Sequence, residues 1–148
     1  MPGDEPMNRI LAATEGSEGA NRALDAAIDL AKATGGELVI LTAGGSMSGA
    51  ALRKLADTGG NLSAALEAQA DRLLKQAVRR ARRAGIAAPK TLREWGDPAE
   101  RIIAVAKREQ ADVVVVGRRG RGRLSGLLLG SVSQKVASLA PCTVMVVP

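Results

Sequence analysis

The sequence predicts an α/β fold in which one open sheet of five parallel strands carries helices on both faces. Short apolar runs alternate along the chain with longer segments whose apolar residues recur every three or four positions, the pattern of strands alternating with amphipathic helices. One run, Val113–Val116, consists of four consecutive β-branched residues, as expected for a strand buried on both faces. The chain has 148 residues, enough for one domain, and we expect residues 1–148 to form a single one.

The first half of the chain contains two predicted strands and two predicted helices. Arg9–Thr14 is a short apolar run that predicts the first strand. Ser17 is a suitable N-cap for the helix that follows, and Gly35 is a suitable residue to end it. Leu38–Thr42 predicts the second strand, and Leu62–Ala84 is a long segment with an apolar stripe at helical spacing.

Two segments lack a regular hydrophobic pattern. Residues 1–7 are polar and contain proline and glycine, so they predict a flexible tail. Residues 44–61 are rich in glycine, serine and alanine around a short helical segment, Ala50–Asp57, and we interpret them as a variable loop. Because this loop follows the second strand, it would lie above the carboxyl ends of the strands, either as a lid over a ligand or as a disordered surface loop.

The second half contains three more strands and two more helices. Lys90–Trp95 predicts the third strand, and the β-branched run described above is the fourth. Between them Asp97 and Pro98 begin a helix, because aspartate is a good N-cap and proline is tolerated in the first helical turn. A last helix begins at Ser131, and the apolar run Thr143–Val147 predicts the fifth strand.

The alternation of strands and helices also predicts the topology of the sheet. It leads us to expect parallel strands with helices on both faces, and we expect the strand order 3-2-1-4-5. The strand order then reverses between strands one and four, and open α/β sheets bind ligands at the carboxyl ends of the strands next to such a point. Two loops would meet there, Thr14–Ser17 after the first strand and Gly117–Ser131 after the fourth.

The segment Gly117–Ser131 combines glycines with arginines directly before a helix. Glycines let the backbone approach a ligand closely, and the free N–H groups at a helix start favour a phosphate group. The segment is neither a Walker A loop, which needs GK[ST], nor the dinucleotide-binding fingerprint, whose glycines follow the first strand. The residues alone leave two alternatives, an anion-binding cradle or a solvated basic loop, and the small pair Gly130-Ser131 at the helix start favours the cradle.

The spacing Gly117-x2-Gly120-x9-Gly130-Ser131 resembles the G-2x-G-9x-G(S/T) motif of the nucleotide-binding, ATP-binding branch of the universal stress protein family. The runs ADVVVVG and APCTVMVVP are similar to that family's fourth and fifth strands, and the resemblance covers residues 8–148. It implies a Rossmann-like, adenine nucleotide alpha hydrolase-like fold and a cytoplasmic stress regulator that binds ATP, with Mg²⁺ or Mn²⁺ held through the phosphates. The nucleotide-binding residues implied are Ala13, Thr14, Glu15, Ala43, Val116, Gly117, Arg119, Gly120, Gly130, Ser131 and Val132.

The composition restricts the chemistry that this site can perform. The chain has no His, Phe or Tyr and a single cysteine, Cys142, which excludes a histidine base and an intramolecular disulfide and fits a reducing cytoplasm. Glu15 stands where the family usually carries an aspartate that contacts the nucleoside, so the acceptor is kept but displaced by one methylene. Hydrolysis of ATP needs a group that orients water, and no dedicated base is present. We therefore assign no catalytic residue and no metal ligand, and we expect a binding protein with at most weak ATP hydrolysis.

The net charge of +6 favours an anionic partner. We expect this partner to be an adenine nucleotide, bound by a regulator. Two alternative functions are a slow ATPase and a basic nucleic-acid-binding module that uses the runs RRGRGR and RRARR. The near absence of aromatic residues, on which bases stack, disfavours nucleic acid. No apolar run approaches the length of a membrane span, so we expect no membrane partner. Thr143–Val147 would leave an apolar sheet edge, and family members commonly dimerise there, so we expect a homodimer that pairs this strand with a second copy.

Overall fold

The computed structural model describes residues 9–44, 49–118 and 129–148. Within these ranges five parallel strands form one sheet in the order β3-β2-β1-β4-β5, which confirms the predicted fold class and strand order. In chain order the elements are β1 (Arg9–Ala13), α1 (Glu18–Thr34), β2 (Glu37–Gly44), α2 (Gly49–Asp57), α3 (Leu62–Arg83), β3 (Lys90–Trp95), α4 (Pro98–Arg108), β4 (Val113–Gly117), α5 (Ser131–Leu139) and β5 (Thr143–Val147).

Two differences from the predicted element boundaries concern the ends of the strands and the loop after β2. β2 continues to Gly44, two residues beyond the predicted end, because its last residues pair with the end of β3, where Gly44 lies opposite Trp95. The segment interpreted as a variable loop contains α2, close to the short helical segment noted in the sequence. The predicted tail, residues 1–7, lies outside the described residues.

Side-chain caps begin three of the helices. Ser17 Oγ accepts a hydrogen bond of 3.1 Å from the amide three residues further on, and Asp97 Oδ2 accepts one of 2.9 Å in the same way. Asn61 caps α3 with an equivalent bond of 3.2 Å. α1 ends at Gly35, whose φ of 70° lies in the left-handed region that glycine adopts without strain. Among the helices in the described ranges, none is both long and apolar enough to pass through a membrane.

The hydrophobic core has two layers, one on each face of the sheet. Ile10 and Ala12 of β1 pack against α1 and α3, whereas Leu11 packs in the layer formed with α4 and α5. Residues Val113–Val116 alternate between the same two layers, and each is less than 5% exposed. Burial of both faces explains why the central strands are continuous apolar runs rather than alternating ones.

Candidate functional site

A cavity of about 300 Å³ opens at the carboxyl end of the sheet. The residues that end β1, β2, β3 and β4 line it from below, and residues of α3, α4 and the start of α5 form its sides. Both loops that the topology was expected to bring together contribute to the lining, with Thr14 and Glu15 after β1 and Gly117 and Arg118 at the end of β4. The volume is at the lower end of the range typical of small-molecule sites.

The residues implied by the family motif fall into two groups. Arg119 and Gly120 lie outside the described residues. The others all line the cavity, and they are Ala13, Thr14, Glu15, Ala43, Val116, Gly117, Gly130, Ser131 and Val132.

The end of the cavity next to α5 is suited to an anion. Gly130 is the N-cap of α5, with φ −74° and ψ 170°, and no side chain caps this helix, in contrast to α1, α3 and α4. The N–H groups of the first turn of a helix have no partner within the helix itself. Because Gly130, Ser131 and Val132 line the cavity, this uncapped helix start provides donors and a positive dipole end at the cavity wall.

Ser133 holds the two ends of the glycine-rich loop together. Its hydroxyl is only 2% exposed, lies 2.7 Å from the carbonyl oxygen of Arg118 and is 3.2 Å from that of Gly130. The Gly130 amide also donates to the Arg118 carbonyl at 2.8 Å, and the Arg118 amide donates to Val147 at 2.7 Å. The base of the loop is therefore tied to α5 and β5. The sequence analysis did not identify Ser133, although a serine two residues after the motif is a visible signal.

Glu15 is held at the start of α1. Its Oε1 accepts a hydrogen bond from the Ser17 hydroxyl and a second, of 3.3 Å, from the Ser17 amide. Thr14, which is buried, accepts a hydrogen bond of 3.2 Å from the amide of Gly16. These bonds fix the β1–α1 turn beside the cavity and use part of the accepting capacity of the Glu15 carboxylate.

The wall of the cavity formed by α3 and α4 is largely apolar, with Gln69 as its polar member, and contains residues that the sequence analysis did not assign to a site. Leu66, Ala70 and Leu73 of α3 contribute to the lining, together with Ile102 of α4. Trp95, at the end of β3, also lines it and keeps 45% of its surface exposed. Trp95 carried a usable signal, because it is the sole aromatic residue and follows a strand end. The α3 residues carried none, because an apolar stripe on a helix predicts core packing equally well.

Comparison with known proteins decides the family. The sequence model of the universal stress protein family matches residues 7–148. The chain belongs to the universal stress protein family. The universal stress protein YxiE of Bacillus subtilis is 34% identical over 150 aligned residues, which cover 95% of this chain and 99% of YxiE. A universal stress protein of Thermus aquaticus is 35% identical over 93% of this chain and 96% of its own length.

Solved structures of universal stress proteins share the fold. UspA of Lactobacillus plantarum superposes with a TM-score of 0.79 at 24% identity, covering 98% of this chain and all of its own. A universal stress protein in complex with cAMP has a TM-score of 0.73 at 27% identity, covering 97% and 98% of the two chains. The protein from Archaeoglobus fulgidus in complex with dAMP has a TM-score of 0.65 at 19% identity, covering 96% and 98%.

The charged groups at the cavity of this universal stress protein differ in their pairing. Arg93 donates to Asp71 at 2.7 Å, and Glu94 accepts from Arg108 at 3.1 Å, so both side chains from the end of β3 have ion-pair partners. Arg118 lines the cavity next to the start of α5, where its carbonyl accepts from the Gly130 amide. Within the described ranges no group of three or more His, Cys, Asp or Glu side chains is arranged to hold a metal ion.

Proposed function

We propose that this universal stress protein binds ATP in the cavity at the carboxyl ends of β1 and β4 and acts in the cytoplasm as a nucleotide-dependent stress regulator. The observation that carries the proposal is that the cavity combines an uncapped helix start at α5 with a largely apolar wall on α3 and α4. Phosphates and a purine base need just these two environments. The cAMP complex of a relative supports an adenine nucleotide as the ligand class.

Each end of the cavity would hold a different part of the nucleotide. The phosphates would lie against the backbone of Gly117, Gly130, Ser131 and Val132, and Arg119 and Gly120 complete the motif in the same loop. The base and ribose would lie over the ends of β2, β1 and β4, and the residues proposed there are Ala13, Thr14, Glu15, Ala43 and Val116. Mg²⁺ or Mn²⁺ would be held through the phosphates, which supply the hard oxygen ligands that these ions prefer.

Nucleotide binding would act by shifting the populations of protein conformations, and not through rapid hydrolysis of ATP. The chain has no histidine, and Glu15, a carboxylate that lines the cavity, accepts two hydrogen bonds from Ser17. A water-orienting base is therefore not in place, and hydrolysis would be slow. A ligand that contacts the loop between β4 and α5 stabilises the arrangement that it binds best, and in this way changes the surface offered to a partner protein.

The nucleotide proposal is tested by titrating nucleotide-free protein with Mg-ATP. Trp95 is the one tryptophan in a chain without tyrosine and lines the cavity, so its fluorescence reports binding alongside calorimetry. Gly130→Val would obstruct the phosphate end and Ala43→Leu the base end, and each should raise the Kd at least about tenfold, or 1.4 kcal/mol. Ala88→Leu, at an exposed position away from the cavity, is the matched control. Absence of both heat and fluorescence change in folded wild-type protein would refute the proposal.

We also propose that two copies pair through β5. β5 is an outer strand of the sheet, and Met145 on it is 37% exposed. An exposed apolar edge strand favours pairing with a second chain. Sedimentation velocity should show a dimer that Met145→Lys converts to monomer, while Leu52→Lys, at another exposed apolar position, should leave the dimer intact. A wild-type monomer at all accessible concentrations would exclude the dimer.

A further inference from the structure

A second cavity, of about 320 Å³, lies between the start of α1 and the carboxyl-terminal half of α3. It shares Thr14 and Leu73 with the principal cavity, so the two cavities are neighbours. Its remaining lining is mostly polar and comes from two helices, with Asn21 on α1 and the side chains Gln76, Arg79, Arg80 and Arg83 on α3.

Arg83 lies four residues after Arg79 and three after Arg80, so it is a neighbour of both on the surface of α3, and all three arginines line the cavity. Arg80 is fixed by a forked ion pair, in which Nε donates to Asp25 Oδ1 at 2.6 Å and Nη2 donates to Oδ2 at 2.8 Å. The hydrogen bond to Asp25 raises the pKa of Arg80, which stays charged. Among the described residues, no carboxylate lies within ion-pairing distance of Arg79 or Arg83. The cavity wall is therefore left with excess positive charge.

The helix dipole explains only part of this arrangement. Cations are favoured in the last turn of a helix, which accounts for arginines near the end of α3 in general. It does not explain why three of them, although exposed to solvent, line one cavity together with the amides of Asn21 and Gln76. Like charges at helical spacing repel each other, and an anion between them removes that repulsion.

The character of the lining defines the class of anion. Guanidinium groups pair with phosphate oxygens in a forked geometry, and side-chain amides add further donors. The lining includes no aromatic side chain on which a base could stack. We propose that this cavity is a second anion site, which binds the phosphates of a free oligophosphate such as pyrophosphate or tripolyphosphate. The phosphate tail of a nucleotide in the principal cavity is the other source of the same chemistry.

The test is a metal-free calorimetric titration with tripolyphosphate. The double variant Arg79→Gln/Arg83→Gln should raise the Kd at least about tenfold, since each removes a charge-assisted contact. The double variant Arg72→Gln/Arg82→Gln is the matched control, because it removes the same charge from exposed positions of α3 that do not line the cavity. It should change the Kd by less than about threefold, the size expected from a general loss of surface potential. Saturable binding with this difference supports the site.

Three results would overturn the proposal. The first is no tripolyphosphate binding by the wild type, and the second is equal weakening in both double variants, which would indicate diffuse attraction to a basic surface. The third is competition between tripolyphosphate and Mg-ATP, with both weakened by Arg79→Gln/Arg83→Gln, which would assign the cavity to the tail of the nucleotide. Failure of the nucleotide proposal is recognised separately, because Mg-ATP would then leave Trp95 fluorescence unchanged while tripolyphosphate still binds.

Discussion

Gly117→Ala separates two roles for the first glycine of the motif. From the sequence, this glycine is expected to let the backbone approach a phosphate. In the structure, a Cβ built on Gly117 would lie 3.0 Å from the carbonyl oxygen of Gly19 and 3.1 Å from its carbonyl carbon. Both atoms belong to the backbone of α1, so the helix itself would have to move by a few tenths of an ångström. The absence of a side chain at Gly117 thus allows α1 to pack closely on β4.

The expected cost of Gly117→Ala comes from packing and not from backbone conformation. Gly117 is not among the glycines with positive φ, so alanine can adopt its backbone angles. Overpacking against a fixed neighbour costs about 1–3 kcal/mol. Replacing glycine with alanine also restricts the unfolded chain, which offsets about 0.4–1 kcal/mol of that cost. The net expectation is a loss of about 0–2.6 kcal/mol in the free energy of unfolding, with a midpoint of about 1.3 kcal/mol.

Urea unfolding followed by circular dichroism measures this loss, and Mg-ATP titration of the folded variant measures any effect on the ligand. Gly59→Ala is the comparison, because Gly59 has φ +67° and open space around an added Cβ, so its cost reflects backbone strain without overpacking, and the effect on the unfolded chain is common to both variants. The reasoning predicts a destabilised Gly117→Ala that still binds nucleotide when folded. It would be refuted by unchanged stability together with lost nucleotide binding, which would show that Gly117 serves the ligand.

Two further predictions concern a buried hydroxyl and an ion pair. Ser133→Ala should lower the free energy of unfolding by about 1–2 kcal/mol and weaken nucleotide binding, because the Arg118 carbonyl loses its 2.7 Å donor. The control is Ser131→Ala, at an exposed neighbouring position, which should lower the free energy of unfolding by less than about 0.5 kcal/mol. Equal stabilities of the two variants in urea would contradict the role assigned to Ser133. The hydrogen bond from Arg80 lowers the pKa of Asp25 below its ordinary value of 3.8, so this carboxylate stabilises the fold above that pH, and the contribution is lost as pH falls through the lowered value. Asp25→Asn should therefore cost about 0.2–1 kcal/mol at neutral pH and progressively less as the pH falls below 3.8, and a cost independent of pH would exclude the ion pair as its cause.

The fold was predictable because its determinants are local. The run Val113–Val116 identifies a strand buried on both faces, and Ser17 and Asp97 mark helix starts through hydrogen bonds that span three residues. Alternation of strands and helices then restricts the topology to few arrangements, because crossovers are right-handed. The extension of β2 to Gly44 was missed because it depends on pairing with β3, which is a contact between distant parts of the chain.

The candidate site was predictable only where consecutive residues of a motif determine the local backbone geometry. Gly130 and Ser131 lie together at a helix start, so the sequence by itself determined that a helix start suited to an anion follows the fourth strand. The sequence also determined the family to which the chain belongs. Tertiary structure decided what surrounds that helix start. Leu66 lines the cavity while Ala77 of the same helix is buried in the core, because only part of the α3 stripe reaches the sheet. In the same way, the packing of α3 against α1 gathers arginines such as Arg79 around a cavity, and helix spacing alone does not indicate which face meets a neighbour.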